Sequence, residues 1–322
     1  MSLTFFPPLQ QINSEIVRHA GVDLYVLRLD LMHPWVNGNK WFKLKYNLLE
    51  AKEKNFTTLL TFGGAYSNHI YATAAAGNIF GFCTIGVIRG EQRLLLNPTL
   101  SFAVQQGMQL VYLNRETYRQ RNTPALQEYL QQRFGKVFII PEGGSNLNGV
   151  RGCTEIVGNA MPTAGYAYAF DHICVACGTA TTLAGITLSL DQRQKAIAFS
   201  VLKNGAFLAQ EIESVLTNYL ASGFPSPYTS PASWELVCDY HFGGYAKVND
   251  ELLLFSQQFR EEHGVPLDYV YTAKMFYGVM DLLKQGFFRR GDSLLLVHTG
   301  GLQGNVGIEE RWRKRSPTAI AP

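Results

Sequence analysis

The feature that most limits what this chain can become is a repeated exchange of short apolar runs with longer helical runs. Residues 22–31, 57–62, 82–87, 110–113 and 137–140 read as strands. Between them, 40–54, 68–80, 98–106 and 125–134 carry helical spacing, with Leu44, Leu48 and Leu49 on one side of the first. After Pro141 the order resumes. Strands are expected at 172–176, 196–201 and 294–298, and helices at 182–190, 207–220, 250–263 and 273–284. The stretch 221–233, rich in Ser and Pro, predicts a surface loop. Strand-then-helix units of this length build parallel sheets covered on both faces. A length of 322 residues then asks for two lobes or one large α/β domain.

Composition narrows the function. Hydrophobic residues make up 47%, enough for a large core, and charged residues only 16%. The formal charge of +3 gives no case for nucleic acid or an anionic membrane. The basic residues Arg311, Arg313, Lys314 and Arg315 read as a solvated end. The first residues have neither a basic nor an apolar signal region, so a cytoplasmic protein is expected. Residues 173–190 reach membrane-spanning length, but their threonines and glycines read as strand, loop and helix. Five scattered cysteines do not form a disulfide scaffold. Cys174 and Cys177, three apart on one strand, should point to opposite faces, which opposes a redox or zinc pair.

Glycine-rich loops follow four of the strands. They are Gly63-Gly64-Ala65-Tyr66-Ser67-Asn68-His69, Gly143-Gly144-Ser145-Asn146, Cys177-Gly178-Thr179-Ala180-Thr181-Thr182 and His298-Thr299-Gly300-Gly301. Ligands of open parallel sheets bind outside the carboxyl ends of the strands, where these loops lie. None matches the dinucleotide or P-loop fingerprint, which disfavours a nucleotide-dependent enzyme. The third loop leads from a buried strand into a helix. Its N–H groups and hydroxyls could cradle a phosphate, or Thr could simply cap the helix.

Asn37-Gly38-Asn39-Lys40-Trp41-Phe42-Lys43-Leu44-Lys45 places three lysines at a helix start. The macrodipole disfavours cations there, and each lysine opposes the other's charge. A lysine so placed loses its proton more easily, which suits Schiff-base chemistry.

Asn39-Lys40-x-x-Lys43-Leu44, Ser67-Asn68-His69, Pro141-Glu142-Gly143-Gly144-Ser145-Asn146 and His298-Thr299-Gly300-Gly301 occur in that order. Together they resemble the 1-aminocyclopropane-1-carboxylate deaminase/D-cysteine desulfhydrase family. Those are pyridoxal-phosphate enzymes of the tryptophan synthase β-like fold. The resemblance implies two open, mainly parallel twisted sheets flanked by helices, with the cofactor in the cleft between two lobes. Residues 1–48 and 158–322 would form the larger lobe and 49–157 the smaller.

It also implies site roles. Lys40 would carry pyridoxal 5'-phosphate covalently, and Lys43 would lie near its phosphate. Cys177, Gly178, Thr179, Ala180, Thr181 and Thr182 would form the phosphate loop. Asn68 would meet the ring hydroxyl and Thr299 the pyridine nitrogen, with Thr272 among the cofactor contacts. Ser67, Asn68 and His69 would receive the substrate carboxylate, and Tyr245 and Tyr271 would be active-site tyrosines. No metal is implied, and a homodimer is expected.

Three positions depart from the family pattern. Phe42 replaces an Arg, Asn37-Gly38 replaces Gly-Gly, and Thr272 replaces the Glu typical of the deaminases. Elimination from D-cysteine to pyruvate, sulfide and ammonia is therefore expected ahead of ring opening of aminocyclopropane carboxylate to 2-oxobutanoate and ammonia. A non-catalytic small-molecule or phosphate-binding protein on the same scaffold would have lost the lysine, and Lys40 is present.

Overall fold

The computed structural model describes residues 7–158 and 170–315. The strands are β1 (Leu9–Gln11), β2 (Asp23–Arg28), β3 (Thr58–Gly63), β4 (Cys83–Arg89) and β5 (Met108–Leu113), followed by β6 (Phe138–Ile140), β7 (His172–Cys177), β8 (Lys195–Ser200), β9 (Ser233–Val237) and β10 (Ser293–His298). They form two sheets, with orders β1-β2-β10-β7-β8-β9 and β5-β4-β3-β6. Every pairing is parallel except β1 with β2. This is the expected pair of open, helix-flanked sheets.

Strand chemistry explains the double covering. Leu294 and Leu296 of β10 join one core cluster, and the alternate residues Leu295 and Val297 join another on the opposite face. Cys174 and Cys177 divide between the same two clusters, as their spacing requires. The second of these clusters holds the two sheets together. It takes Leu44 and Leu48 from helix Asn39–Glu53, Leu59 from β3, Val150 and Cys153 from helix Leu147–Cys153, and Val175 from β7.

The strand expected at 22–31 stops at Arg28. Residues Leu29–Leu31 turn into a short 3₁₀ helix. The buried Arg28 guanidinium there grips both oxygens of Asp30, with Nε donating to Oδ1 at 2.9 Å and Nη2 to Oδ2 at 2.7 Å. The stretch 173–190 is strand, loop and helix, and no described helix is long and apolar enough to cross a membrane.

Parallel pairing brings carboxyl ends together. Arg28 pairs with His298 across β2 and β10, so the turns after these strands are neighbours. The loops after β3, β6, β7 and β10, and the helix that begins at Asn39, supply the site.

Candidate active site

Lys40 is the second residue of helix Asn39–Glu53. Gly38 precedes it with φ +64°, and a Cβ there would lie 2.0 Å from the Thr299 carbonyl oxygen. Only glycine allows this approach. The Asn39 N–H donates to that same carbonyl at 3.3 Å, so the lysine and the Thr299 turn are fastened together. Lys40 and Thr299 both line a cavity of about 230 Å³, with Asp30, Asn37, Asn68 and Gln303 among its other walls. Burial, then the neighbouring Lys43 charge, pushes the Lys40 ammonium down to about 7. Much of the amine is therefore neutral at neutral pH.

Lys43 lies one turn on and is almost wholly buried. Its Nζ donates to Thr179 Oγ1 at 3.3 Å, and no described carboxylate pairs with it. Burial lowers its pKa as well. Thr179 stands at the N-cap of helix Ala180–Ser189 but makes no side-chain cap bond. By contrast, Ser67, Asn97 and Asn249 each cap their own helices with a side-chain oxygen. Ordinary capping therefore does not account for Thr179. A buried cation and a bare helix N-terminus face the same spot, and both favour an anion there. The rest of the loop is packed closely around it. Ser145 Oγ donates to Thr179 Oγ1 at 3.4 Å and the Cys177 thiol donates to the Thr179 carbonyl at 3.5 Å. Asn39 Nδ2 donates to Thr182 Oγ1 at 3.0 Å. Ala180 and Thr181 are buried in the first helical turn, and Gly178 runs against the Tyr271 ring.

Ser67 caps helix Asn68–Phe80, with its Oγ accepting the N–H groups of His69 and Ile70 at 3.2 and 3.3 Å. Asn68 reaches into the cavity, and its Oδ1 accepts from Gln303 Nε2. Gln303 Oε1 in turn accepts from Thr99 Oγ1 at 2.6 Å. This frees the Asn68 amide to act as a donor. Gly301, at φ +100°, makes room for it, since a Cβ there would sit 2.6 Å from Asn68 Nδ2.

The imidazole of His69 turns inward. Thr61 Oγ1 donates to the Ile140 carbonyl at 2.8 Å, so its lone pair must accept from His69 Nε2–H, also at 2.8 Å. Burial and the two lysines hold the ring's pKa well below its ordinary value. The neutral ring offers no cation to a carboxylate. Only its backbone N–H lies at the helix start, and Ser67 holds it.

The two tyrosines meet. Tyr271 Oη donates to Tyr245 Oη at 3.3 Å, with ring centroids 6.0 Å apart. Burial raises both phenol pKa values, so both stay protonated at neutral pH. Thr272, expected among the cofactor contacts, is wholly buried behind Tyr271. Its hydroxyl accepts from the Asp268 N–H at 2.8 Å and donates to the Asp268 carbonyl at 3.2 Å.

Asp268 is the main functional residue that the sequence reading missed. Its Oδ1 accepts the N–H groups of Val270 and Tyr271 at 2.9 and 3.1 Å, and Oδ2 accepts that of Thr272 at 3.2 Å. An Asp three residues before Tyr271 is a recognisable turn signal. Gln303 and Asp30, also missed, carry no such local signal. Among the described residues, no cluster of His, Cys, Asp or Glu could hold a metal ion.

Two mainly parallel sheets with a partly neutral lysine beside an anion cradle at their meeting edge define an enzyme class. It is the class in which a lysine amine holds a phosphorylated aldehyde cofactor. The profile of pyridoxal-phosphate dependent enzymes matches residues 7–300, and the chain belongs to that family. A putative 1-aminocyclopropane-1-carboxylate deaminase of Pyrococcus horikoshii is 30% identical over 302 residues, covering 92% of this chain and 90% of the relative. The bifunctional D-cysteine desulfhydrase/1-aminocyclopropane-1-carboxylate deaminase of Arabidopsis thaliana mitochondria is 31% identical over 303 residues, covering 88% and 73%. A crystal structure of an ACC deaminase homologue superposes with a TM-score of 0.83 at 27% identity, covering 97% of this chain and 94% of that one.

Proposed function

We propose that this enzyme is a D-cysteine desulfhydrase-like lyase, which converts D-cysteine and water to pyruvate, sulfide and ammonia. Lys40 would hold pyridoxal phosphate through its amine, and Lys43 with residues 177–182 would take the phosphate. Asn68 would donate to the ring hydroxyl, and Thr299 would face the ring nitrogen. The bound cofactor supplies an electron sink for charge developing at Cα.

The chain's own groups do the rest. The Ser67 hydroxyl and the backbone N–H of Asn68, at the start of helix Asn68–Phe80, would receive the substrate carboxylate. The Lys40 amine, partly neutral near pH 7, would take the proton from Cα. Tyr245 and Tyr271 keep their protons and would hydrogen-bond the sulfur as it leaves Cβ.

One observation favours this substrate over aminocyclopropane carboxylate. The carboxylates nearest the Thr299 turn are already committed, Asp30 to Arg28 and Asp268 to three backbone N–H groups. In this reading the Thr299 hydroxyl would meet the ring nitrogen, and a hydroxyl does not fix a proton there as a carboxylic acid would. Elimination tolerates the weaker sink because thiolate carries the charge away. Ring opening has no such leaving group. The relatives named for aminocyclopropane carboxylate keep that reaction as the second reading.

With this reading go a cytoplasmic homodimer and a division into lobes at 49–157 and the remainder. The segregation of β3–β6 from the other strands supports that division. The test is kcat/KM for the two compounds. D-Cysteine should be the faster, and faster turnover of aminocyclopropane carboxylate would overturn the choice.

A further inference from the structure

Lys274 is wholly buried in the first turn of helix Thr272–Lys284, where the macrodipole disfavours a cation. No described carboxylate forms an ion pair with it. Its Nζ instead donates to two backbone carbonyls of a distant loop, His241 at 2.9 Å and Gly244 at 2.7 Å. Each carbonyl also accepts a backbone N–H, His241 from Gly244 at 3.0 Å and Gly244 from Lys247 at 3.1 Å. The ammonium uses the second lone pair of each.

That loop needs holding. Phe242, Gly243, Gly244 and Ala246 all have positive φ, at 50°, 88°, 112° and 54°. For Phe242 and Ala246 this is an unfavourable backbone conformation. The residue enclosed by this run is Tyr245, which is half exposed and hydrogen-bonded to Tyr271. Asp268 fixes the other tyrosine through its own backbone N–H. A single segment, 268–274, thus clamps both phenols, one through the Asp268 carboxylate and the other through Lys274.

We propose that Lys274 is a positioning residue, whose buried ammonium locks the 241–246 loop so that the Tyr245 hydroxyl stands against that of Tyr271. The inference rests on the proposed role of Tyr245. Lys274 touches neither substrate nor cofactor in this scheme, so its effect must pass through that tyrosine. A merely structural lysine would lower activity whether or not the tyrosine hydroxyl was present.

The test is a double-mutant cycle in the cofactor-loaded enzyme, with Lys274→Met and Tyr245→Phe measured singly and together on D-cysteine. Lys274→Met should keep the cofactor's visible absorbance and lower kcat/KM at least tenfold. In the Tyr245→Phe background the same change should lower it by less than about threefold. If Lys274→Met is insoluble, Lys274→Leu, which also removes the N–H donors, takes its place in the cycle. Full multiplicative effects, or unchanged kcat/KM in the Lys274 variant, would overturn the proposal while Tyr245 kept its role. An inert Tyr245→Phe would overturn both.

Discussion

Replacing Lys43 with Met should move cofactor affinity and apoprotein stability in opposite directions. Met retains the length and the apolar contacts of the lysine stem and removes only the ammonium. With the phosphate in place, that ammonium supplies a hydrogen bond between charged groups, of about 1.5–3 kcal/mol. Its loss should weaken cofactor binding by roughly tenfold to a little over a hundredfold. Without the anion, the buried cation faces a bare helix N-terminus and, among the described residues, hydrogen-bonds only to the Thr179 hydroxyl. A like-signed helix terminus costs about 0.3–1 kcal/mol, and up to ~2 kcal/mol where partly buried. The Lys43→Met apoprotein should therefore be at least as stable as the parent. Titration of the apoprotein with pyridoxal phosphate, followed by visible absorbance, gives the affinity. Urea unfolding of both apoproteins gives the stability. If affinity stays within about twofold while the apoprotein loses 2 kcal/mol or so, Lys43 is a packing residue and the anion site is misplaced.

Two further outcomes follow from the same geometry. Lys40 has a folded-state pKa of about 7 against an ordinary 10.5, so between those values the unfolded chain binds the extra proton. Apoprotein stability should rise with pH across that window, and Lys40→Met should flatten the rise; urea midpoints at several pH values check this, and an unchanged slope would contradict it. Gly178→Val places a Cβ 3.0 Å from Tyr271 Cε1 and adds two methyl groups beside the anion cradle. Cofactor affinity should fall at least tenfold by the same titration, and an unaltered affinity would return that helix start to an ordinary cap.

The parts of this molecule that could be read from its sequence are those with local signals. Helices Asn68–Phe80 and Asp250–His263 begin and end where expected, because Ser67 and Asn249 cap their starts and Gly81 and Gly264 take the left-handed conformation at their ends. The smaller cause of the lowered Lys40 pKa, the Lys43 charge one turn on, was legible for the same reason, while the larger cause, burial, was not. β1, β9 and helix Leu147–Cys153 were not seen. β1 has three residues, too few for a period, and β9 is an edge strand whose residues are at most half-buried. Helix Leu147–Cys153 carries Asn148 and Arg151 and two glycines in seven residues, and its place is set by packing against helices 39–53 and 180–189. The inward turn of His69 onto Thr61 and the bonds from Lys274 to carbonyls 33 and 30 residues away are tertiary contacts that no spacing rule reports, whereas the Asp268 clamp had a local turn signal that went unread.

The most direct measurement is chemical. The protein, loaded with pyridoxal phosphate, is reduced with borohydride, digested and mapped by mass spectrometry. The expected result is a single phosphopyridoxyl group on Lys40, with the visible band lost on reduction. A label on Lys43 or on another lysine, or a Lys40→Ala protein that still takes up the label in full, would contradict the assignment on which the site rests.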